Sequence, residues 1–211
     1  MIQLKPSNIL LLKGEVNEIS VQKFLYDLHK HDRRKELILF LDTNGGSVEQ
    51  GNKIVSEVQK YNIACVAERA YSMGFVILQA CKKRYITPYG RIMQHQLSYG
   101  IGNEKAKVES YVDFIGQIEE TLANMQASRI GMPIDKFRLK TYNDWWMFGE
   151  NAVKQNCVDD VVNVECSERL VHSNYTMSKY NMDYIYSQCP LIPEPLEIKK
   201  NGKSVMDFIY M

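Results

Sequence analysis

Three pairs of apolar segments in the first 80 residues constrain the fold of this 211-residue chain. Each pair is a short apolar run, typical of a buried strand, followed by a segment with the apolar pattern of a helix. The strands are predicted at residues 9–12, 37–41 and 63–67, and the helices at 16–28, 48–58 and 73–80. Strands and helices that alternate in this way form a parallel sheet with crossover helices. The sequence therefore predicts an α/β fold.

The elements after residue 80 are less regular and include one unusually long helix. Two short strands are predicted around a turn at 88–90, then a helix at 104–129, shorter helices at 134–140 and 150–156, and a closing strand at 160–164. At about 1.5 Å per residue the long helix measures near 40 Å, more than the core of a domain of this size needs. We expect it to project, with an apolar stripe that requires a partner.

The composition changes after residue 165. The remaining residues are rich in Tyr, Ser and Asn, contain three prolines and have no clear periodicity. We therefore predict a main domain at residues 1–165 and a C-terminal extension at 166–211 that is at most partly ordered. Its tyrosines and the apolar end at 207–211 are candidates for docking on the domain or on a partner.

Charged side chains nearly balance, with 26 Lys and Arg against 25 Asp and Glu and a formal net charge of +1. This balance argues against a nucleic-acid surface and against a polybasic membrane anchor. The apolar run at 9–12 is too short for the core of a signal peptide or for a membrane span. We therefore expect a soluble cytoplasmic protein whose partners include neither nucleic acid nor membrane.

The five cysteines are odd in number, widely spaced and without a C-x-x-C pair. Such a set predicts reduced thiols and argues against a disulfide framework or a zinc site. Neither a metal-ligand cluster nor a phosphate-binding loop is recognisable, so no metal and no other cofactor is predicted.

Ser72 occupies the junction between the third predicted strand and the third predicted helix. A hydroxyl there stands clear of the sheet, beside the unpaired N–H groups of the first helical turn. The structural interpretation of such a serine is a helix N-cap, and the functional one is a nucleophile. The glycines of the motif Gly45-Gly46-Ser47 follow another strand end, so they lie at the same edge of the sheet as Ser72.

A serine nucleophile requires a base, and the base requires a carboxylate that orients it. His95 follows a predicted strand, and Asp144 lies about 50 residues further on. The whole set comprises Gly45-Gly46-Ser47 and the motifs at 71–74, 93–96 and 143–144. In this order and spacing it closely resembles the Clp protease family of proteolytic subunits, over roughly residues 8–164.

The resemblance implies a ClpP/crotonase-like spiral of β-β-α units with a projecting "handle" helix. It also implies that Ser72 is the nucleophile, His95 the general base and then acid, and Asp144 the group that holds the imidazole. The backbone N–H groups of Gly46 and Met73 would form the oxyanion hole, in agreement with their positions at a glycine turn and at the start of a helix.

The resemblance further implies that Gly45, Gly46 and Ser47 flank an extended peptide substrate, together with the segment 98–104. The expected activity is that of a serine endopeptidase that cleaves unfolded polypeptides inside a homo-oligomer of stacked rings. The family also uses an AAA+ unfoldase as a partner. The short stretch before the first strand, where the family carries its axial loops, argues against such a partner here.

Other positions also depart from the family pattern. Asn44 replaces the proline that precedes the two glycines, and Asn143 replaces an arginine used in a ring-stabilising ion pair. Two alternative functions remain open: a catalytically latent scaffold or regulatory ring subunit, and a crotonase-like acyl-CoA enzyme. The retained Ser72, His95 and Asp144 argue against the second, and against the membrane peptidases of this superfamily that use a serine–lysine pair.

Overall fold

The computed structural model describes residues 1–32, 35–200 and 202–204. The chain divides into a larger unit, Leu10–Val162, and a smaller unit made of Met1–Ile9 and Asn163–Met211. The strands are β1 (Ile2–Leu4), β2 (Ile9–Val16), β3 (Ile38–Gly46), β4 (Ala64–Tyr71), β5 (Arg84–Gln94), β6 (Trp145–Phe148), β7 (Asp160–Val161), β8 (Val164–Cys166), β9 (Asn174–Lys179), β10 (Met182–Ser187), β11 (Glu197–Lys200) and β12 (Lys203–Ser204). The helices are α1 (Glu18–Lys30), α2 (Val48–Lys60), α3 (Met73–Ala80), α4 (Lys105–Ile130), α5 (Ile134–Thr141), α6 (Glu150–Lys154) and α7 (Glu168–Val171).

The larger unit contains a six-stranded sheet in the order β2-β3-β4-β5-β6, with β7 paired to β5. The pairs β3–β4 and β4–β5 are parallel, and α2 and α3 are the crossover helices between them. Both the parallel α/β architecture and the bounds of α3 agree with the sequence prediction. The fold is that of the ClpP/crotonase-like class.

Close packing of α3 fixes the position of the strand–helix junction at Ser72. A Cβ on Gly51 of α2 would overlap the side chain of Met73, and one on Gly74 would lie 2.6 Å from Thr43 Cγ2. Any larger residue at either glycine would therefore push α3 away from its neighbours. Every residue of α3 except Ala80 is buried.

The prediction of two separate strands at 84–87 and 91–94 is wrong, because β5 is continuous. Its pairing with β4 runs from Ala67↔Ile86 directly to Arg69↔Arg91, so four residues of β5 bulge out of the ladder. These residues contain Pro88, whose ring removes a donor and is tolerated at a bulge. The turn signal in the sequence thus marks a bulge inside one strand.

Two further strand predictions require correction. The closing strand predicted at 160–164 is two strands, β7 and β8, which belong to different sheets. The strand β6 was not predicted, although it is the antiparallel neighbour of β5. Its four residues alternate between buried and exposed, a pattern too short to be distinguished in a sequence that contains two adjacent tryptophans. The predicted turn after residue 41 is also extended, since β3 continues to Gly46.

The prediction of a long helix is confirmed by α4, which has 26 residues. Only its C-terminal part is buried, at Ala123, Gln126, Ala127 and Ile130. Nearer its N-terminus the apolar side chains of Tyr111, Val112 and Phe114 are exposed. The apolar stripe of α4 therefore extends well beyond the part that packs on the core.

The smaller unit contains a parallel pair, β1–β8, and a four-stranded antiparallel sheet in the order β12-β11-β10-β9. Tyr175 and Tyr186, on neighbouring strands, stack at 5.5 Å between ring centroids. Most of the segment after residue 165 thus has regular structure up to Ser204. The domain boundary at residue 165 stays a prediction, and the apolar end at 207–211 lies outside the described residues.

The prediction of five reduced thiols is wrong. Cys65 is bonded to Cys81, and Cys166 is bonded to Cys189. Cys157 is a free, buried thiol. The wide spacing in sequence concealed both pairs, because each depends on how strands and helices bring distant residues together.

Candidate active site

Ser72 lies at a strained turn between β4 and α3, with φ +53° and ψ −116°. A positive φ is rare for a residue with a Cβ and costs roughly 1–3 kcal/mol, so the surroundings must hold it. The Ser72 N–H donates to the carbonyl oxygen of Met93 at 2.9 Å. Its own carbonyl oxygen accepts the N–H groups of Phe75 and Val76, at 2.9 and 3.2 Å. The turn is thereby anchored to β5 on one side and to α3 on the other.

The side chain of Ser72 contacts a histidine and does not cap α3. His95, the first residue after β5, has its Nε2 at 2.8 Å from Ser72 Oγ. The parallel pairing of β4 with β5 brings the two residues together, because Tyr71 lies opposite Met93. This is the distance at which a general base takes the proton of a hydroxyl nucleophile. The interpretation of Ser72 as a simple N-cap is therefore wrong.

Asp144 and His95 occupy adjoining positions at the end of the β5–β6 strand pair. Gln94 is paired with Trp145 in the antiparallel β5–β6 ladder, so His95 and Asp144 are the next positions beyond it. The Asp144 side chain is exposed, and its carboxylate makes no hydrogen bond or ion pair with any residue that the structure describes. The structure thus brings Ser72 and His95 together and leaves the carboxylate of Asp144 unengaged.

The glycine motif at the end of β3 runs directly against the Ser72 turn. A Cβ on Gly45, where φ is +86°, would lie 2.8 Å from Ser72 Cβ and 2.9 Å from Met73 N. Gly46 also has a positive φ, +144°. Both positions therefore favour glycine, Gly45 through close approach as well as through its dihedral angle. Met73 N–H is the first of α3, where no intrahelical acceptor exists.

Ser47, predicted to bind substrate, has structural partners. Its side chain accepts the N–H of Gln50 at 3.2 Å and so caps α2, and its own N–H donates to the carbonyl oxygen of Val16 at 2.8 Å. These bonds hold the end of the glycine motif in place. The roles of Gly45, Gly46, Ser47 and Met73 toward a substrate stay predictions.

A cavity of about 230 Å³ opens beside Ser72 and His95. Helices α4 and α5 form its far wall, and the start of α2 and the first turns of α3 complete it. Apolar side chains, among them Val76, Leu122 and Phe137, line most of it.

The family relationship is established by a sequence profile. The profile that describes the Clp protease matches residues 1–165. The chain belongs to the Clp protease family. A similar protein in this family is the ATP-dependent Clp protease proteolytic subunit of Borrelia garinii subsp. bavariensis. The two are 24% identical over 168 residues, which cover 76% of this chain and 87% of the relative.

Membership in the Clp protease family makes this chain a Clp-type peptidase. The hydroxyl–imidazole contact lies within the matched region, as do the glycine motif and the cavity. Among the described residues no group of His, Cys, Asp and Glu side chains is arranged to hold a metal ion. In the same part of the chain, no helix is long and apolar enough to cross a membrane.

Two residues of the cavity were missed by the sequence reasoning. Gln94 precedes His95, and Gln126 lies on α4; both side chains are buried and line the cavity. The signal for Gln126 was present, because it interrupts a stripe that otherwise consists of Ala123, Ala127 and Ile130. A polar residue on the buried stripe of a helix requires a partner, and that partner was not identifiable from the sequence.

Proposed function

We propose that this Clp family chain is a serine endopeptidase that hydrolyses peptide bonds through an acyl-enzyme intermediate. The single observation that carries the proposal is the 2.8 Å distance between Ser72 Oγ and His95 Nε2. A serine hydroxyl is a weak nucleophile by itself, and an imidazole at this distance supplies the base that activates it.

In the proposed first step, His95 Nε2 accepts the proton of Ser72 while Oγ attacks the carbonyl carbon of the peptide bond. The negative charge that develops on the carbonyl oxygen is stabilised by the N–H groups of Gly46 and Met73. The C–N bond then breaks, and the protonated His95 returns its proton to the departing amine. The products of this step are the amine fragment and an ester on Ser72.

In the second step, neutral His95 takes a proton from a water molecule that attacks the ester carbon. The ester bond to Oγ breaks, and the proton goes back to Ser72. The free serine is restored, and the carboxylate fragment is released. We assign Asp144 as the group that holds the His95 ring, because it occupies the adjacent register position. Its carboxylate has to turn toward the imidazole to do so.

The proposed working form is an oligomeric chamber of stacked rings that admits unfolded polypeptides. The exposed apolar side chains in the N-terminal part of α4 support this proposal, since they need a partner helix. The Borrelia relative is named as an ATP-dependent subunit. An AAA+ unfoldase is accordingly the candidate partner to be tested.

A specific observation favours a second candidate, the catalytically latent ring or scaffold subunit. With the Asp144 carboxylate unengaged, the orientation of the His95 ring depends on other contacts. A subunit in which the carboxylate never reaches His95 would retain the architecture and have little activity. The acyl-CoA function has no comparable support.

The deciding experiment is reaction of the purified protein with a fluorophosphonate, followed by mass spectrometry of the modified peptide. We expect a covalent adduct on Ser72 that is absent in Ser72→Ala and strongly reduced in His95→Ala. The matched control is Ser110→Ala, which alters an exposed serine on α4. A folded protein whose Ser72 stays unmodified would refute the peptidase proposal and favour the latent subunit.

A further inference from the structure

The lining of the cavity beside Ser72 includes a group of buried polar side chains. Three of its lining residues are polar and nearly inaccessible to solvent: Gln94 (6% exposed), Gln126 (3%) and Thr141 (5%). Buried carboxamides are costly unless they are hydrogen-bonded, so their presence beside a candidate active site calls for an explanation. We refer to Gln94 and Gln126 together as the carboxamide pair.

The hydrogen bonds of the carboxamide pair have only one possible direction. Gln94 Oε1 accepts the backbone N–H of His95 at 3.1 Å, and Gln126 Nε2 donates to the carbonyl oxygen of Leu122 at 2.9 Å. A backbone N–H only donates and a backbone carbonyl only accepts. Gln94 Nε2 must therefore donate to Gln126 Oε1, as it does. Both amide orientations are fixed by backbone groups at the two ends of this chain of bonds.

Each carboxamide has unused hydrogen-bonding capacity. A carboxamide nitrogen carries two N–H groups and its oxygen two lone pairs, and the bonds described use one of each on both residues. Thr141 donates its hydroxyl hydrogen to the carbonyl oxygen of Phe137 at 3.0 Å and keeps acceptor capacity. Three residues that line the cavity thus retain both donor and acceptor capacity.

The charged side chains that line the cavity are exposed, so they are poorly placed to pair with a charged occupant. Arg138 lines it but is exposed and paired with Glu120, and Glu119 is an exposed lining residue. A carboxylate beside the carboxamide pair would meet no buried arginine or lysine among the lining residues that the structure describes, and an ammonium group would meet no buried carboxylate there. The occupant that matches is an uncharged side chain with both a donor and an acceptor.

We propose that the carboxamide pair makes this cavity selective for glutamine at the cut-site residue, the residue whose carbonyl carbon Ser72 attacks. The inference rests on the proposed peptidase function, because the cavity adjoins Ser72 and His95. A glutamine side chain presents a donor and an acceptor at the end of an apolar stem. The stem fits the apolar lining, and the amide meets the unused groups of the pair.

The carboxamide pair also has a purely structural interpretation, in which Gln94 and Gln126 only satisfy each other and the adjacent backbone. On that interpretation apolar cut-site residues would be cleaved as well as glutamine or better, since most of the lining is apolar. The two interpretations therefore predict opposite orders of substrate preference.

The test uses fluorogenic peptides that differ only in the cut-site residue, which is Gln, Met, Glu or Leu. Methionine and glutamate match glutamine in length and lack, respectively, its polarity and its neutrality. We expect kcat/KM for Gln to exceed that for Met by about tenfold, the effect of roughly one net hydrogen bond, and that for Glu by more. Equal or better cleavage after Met or Leu would overturn the proposal.

A substitution of Gln126 tests whether the carboxamide pair causes the preference for glutamine at the cut-site residue. In Gln126→Met we expect the Gln-to-Met ratio of kcat/KM to fall to one or below, with cleavage after Met retained. The matched control is Gln117→Met on the exposed part of the same helix, which should keep the original ratio. An unchanged ratio in Gln126→Met would assign the preference to other residues and overturn the role of the pair.

A binding measurement separates failure of this inference from failure of the peptidase proposal. Tetrapeptide acids that end in Gln or Met, the fragments left by cleavage, are titrated calorimetrically into the Ser72→Ala protein. We expect about tenfold tighter binding of the Gln peptide. If fluorophosphonate labelling fails but this preference is present, the inference survives as a binding specificity. Equal affinities, whatever the labelling result, refute it.

Discussion

Single residues at the ends of β5 and β6 decide how complete the candidate site is. Ser72 and His95 are within hydrogen-bonding distance, while Asp144, at the adjoining register position, is exposed to solvent. A triad additionally requires the Asp144 carboxylate to turn toward the imidazole of His95. A single substitution of Asp144 therefore tests whether its carboxylate contributes to catalysis.

We expect Asp144→Asn to lower kcat for peptide hydrolysis by about 10⁴-fold, because the amide would stabilise the wrong tautomer of His95. The measurement is the steady-state rate on a fluorogenic peptide, with circular dichroism to verify the fold. Asp113→Asn, on the exposed part of α4, is the control and should leave kcat unchanged. A loss of less than tenfold in Asp144→Asn would contradict the role assigned to this carboxylate.

A buried arginine stabilises the opposite end of β5. Arg84 is 2% exposed, and its Nε and Nη2 donate to Asp159 Oδ1 at 3.1 and 2.6 Å. Burial acts to raise the pKa of the Asp159 carboxyl, but the hydrogen bonds and charge of Arg84, with the charge of Arg129, outweigh it. The pKa of Asp159 therefore lies below its ordinary value of 3.8 in the folded protein.

A lowered pKa in the folded state makes stability depend on pH in one direction. The Asp159 contribution is complete above the unfolded pKa of about 3.8 and is lost as the pH falls through the lower folded value. We expect Asp159→Asn to reduce the free energy of unfolding by about 3 kcal/mol at pH 7, and by less at pH 3. Urea unfolding at both pH values measures this, and an equal loss at both would contradict it.

At the scale of elements, a disulfide closes the segment that carries the candidate nucleophile. Cys65 lies in β4, and Cys81 follows the last residue of α3, so the bond joins the two ends of the strand–turn–helix unit around Ser72. Cys166 and Cys189 are joined in the smaller unit. Cys157 is buried, and burial raises the pKa of its thiol to about 12.

Maleimide labelling measures how many of the five cysteines are free thiols. The reagent reacts with a thiolate, so a buried thiol with a pKa of about 12 should not react in the folded protein. After unfolding without reductant we expect one label per chain, on Cys157, and after reduction five. Mass spectrometry reads the number directly. Five labels in the unfolded, unreduced protein would show that neither disulfide forms in solution.

At the scale of the whole molecule, α4 is the element that a single chain leaves incomplete. Tyr111 and Phe114 contact each other on its exposed part, and Tyr99 contacts Tyr111. Phe114 is 53% exposed. Clustered aromatic side chains on a surface are typical of interfaces, where they provide much of the binding energy.

We expect Phe114→Glu to shift the protein from an oligomer to smaller species, because a carboxylate cannot be buried in an apolar helix interface. Light scattering during size-exclusion chromatography measures the mass. Gln117→Glu adds the same charge one turn further along α4 without removing an apolar side chain, and should have a smaller effect. Identical masses for Phe114→Glu and the unaltered protein would exclude this cluster from the interface.

The sequence by itself determined the parallel α/β fold, the bounds of α3 and the length of α4. Each of these depends on local information: the apolar pattern within one segment and, for α4, the glycine and proline that follow it at 131 and 133. The resemblance of the motif order to the Clp protease family identified Ser72 and His95 as candidate partners. Both conclusions required no knowledge of which distant residues meet.

Only the tertiary structure decided which residues pair across the fold. It joined the cysteines that spacing had separated, placed Gln94 against Gln126, and left the Asp144 carboxylate in solvent. It also identified β6 as a strand, since four residues acquire that conformation from the ladder with β5. Such contacts depend on strand register and helix packing, which are set by the whole core and not by any local stretch.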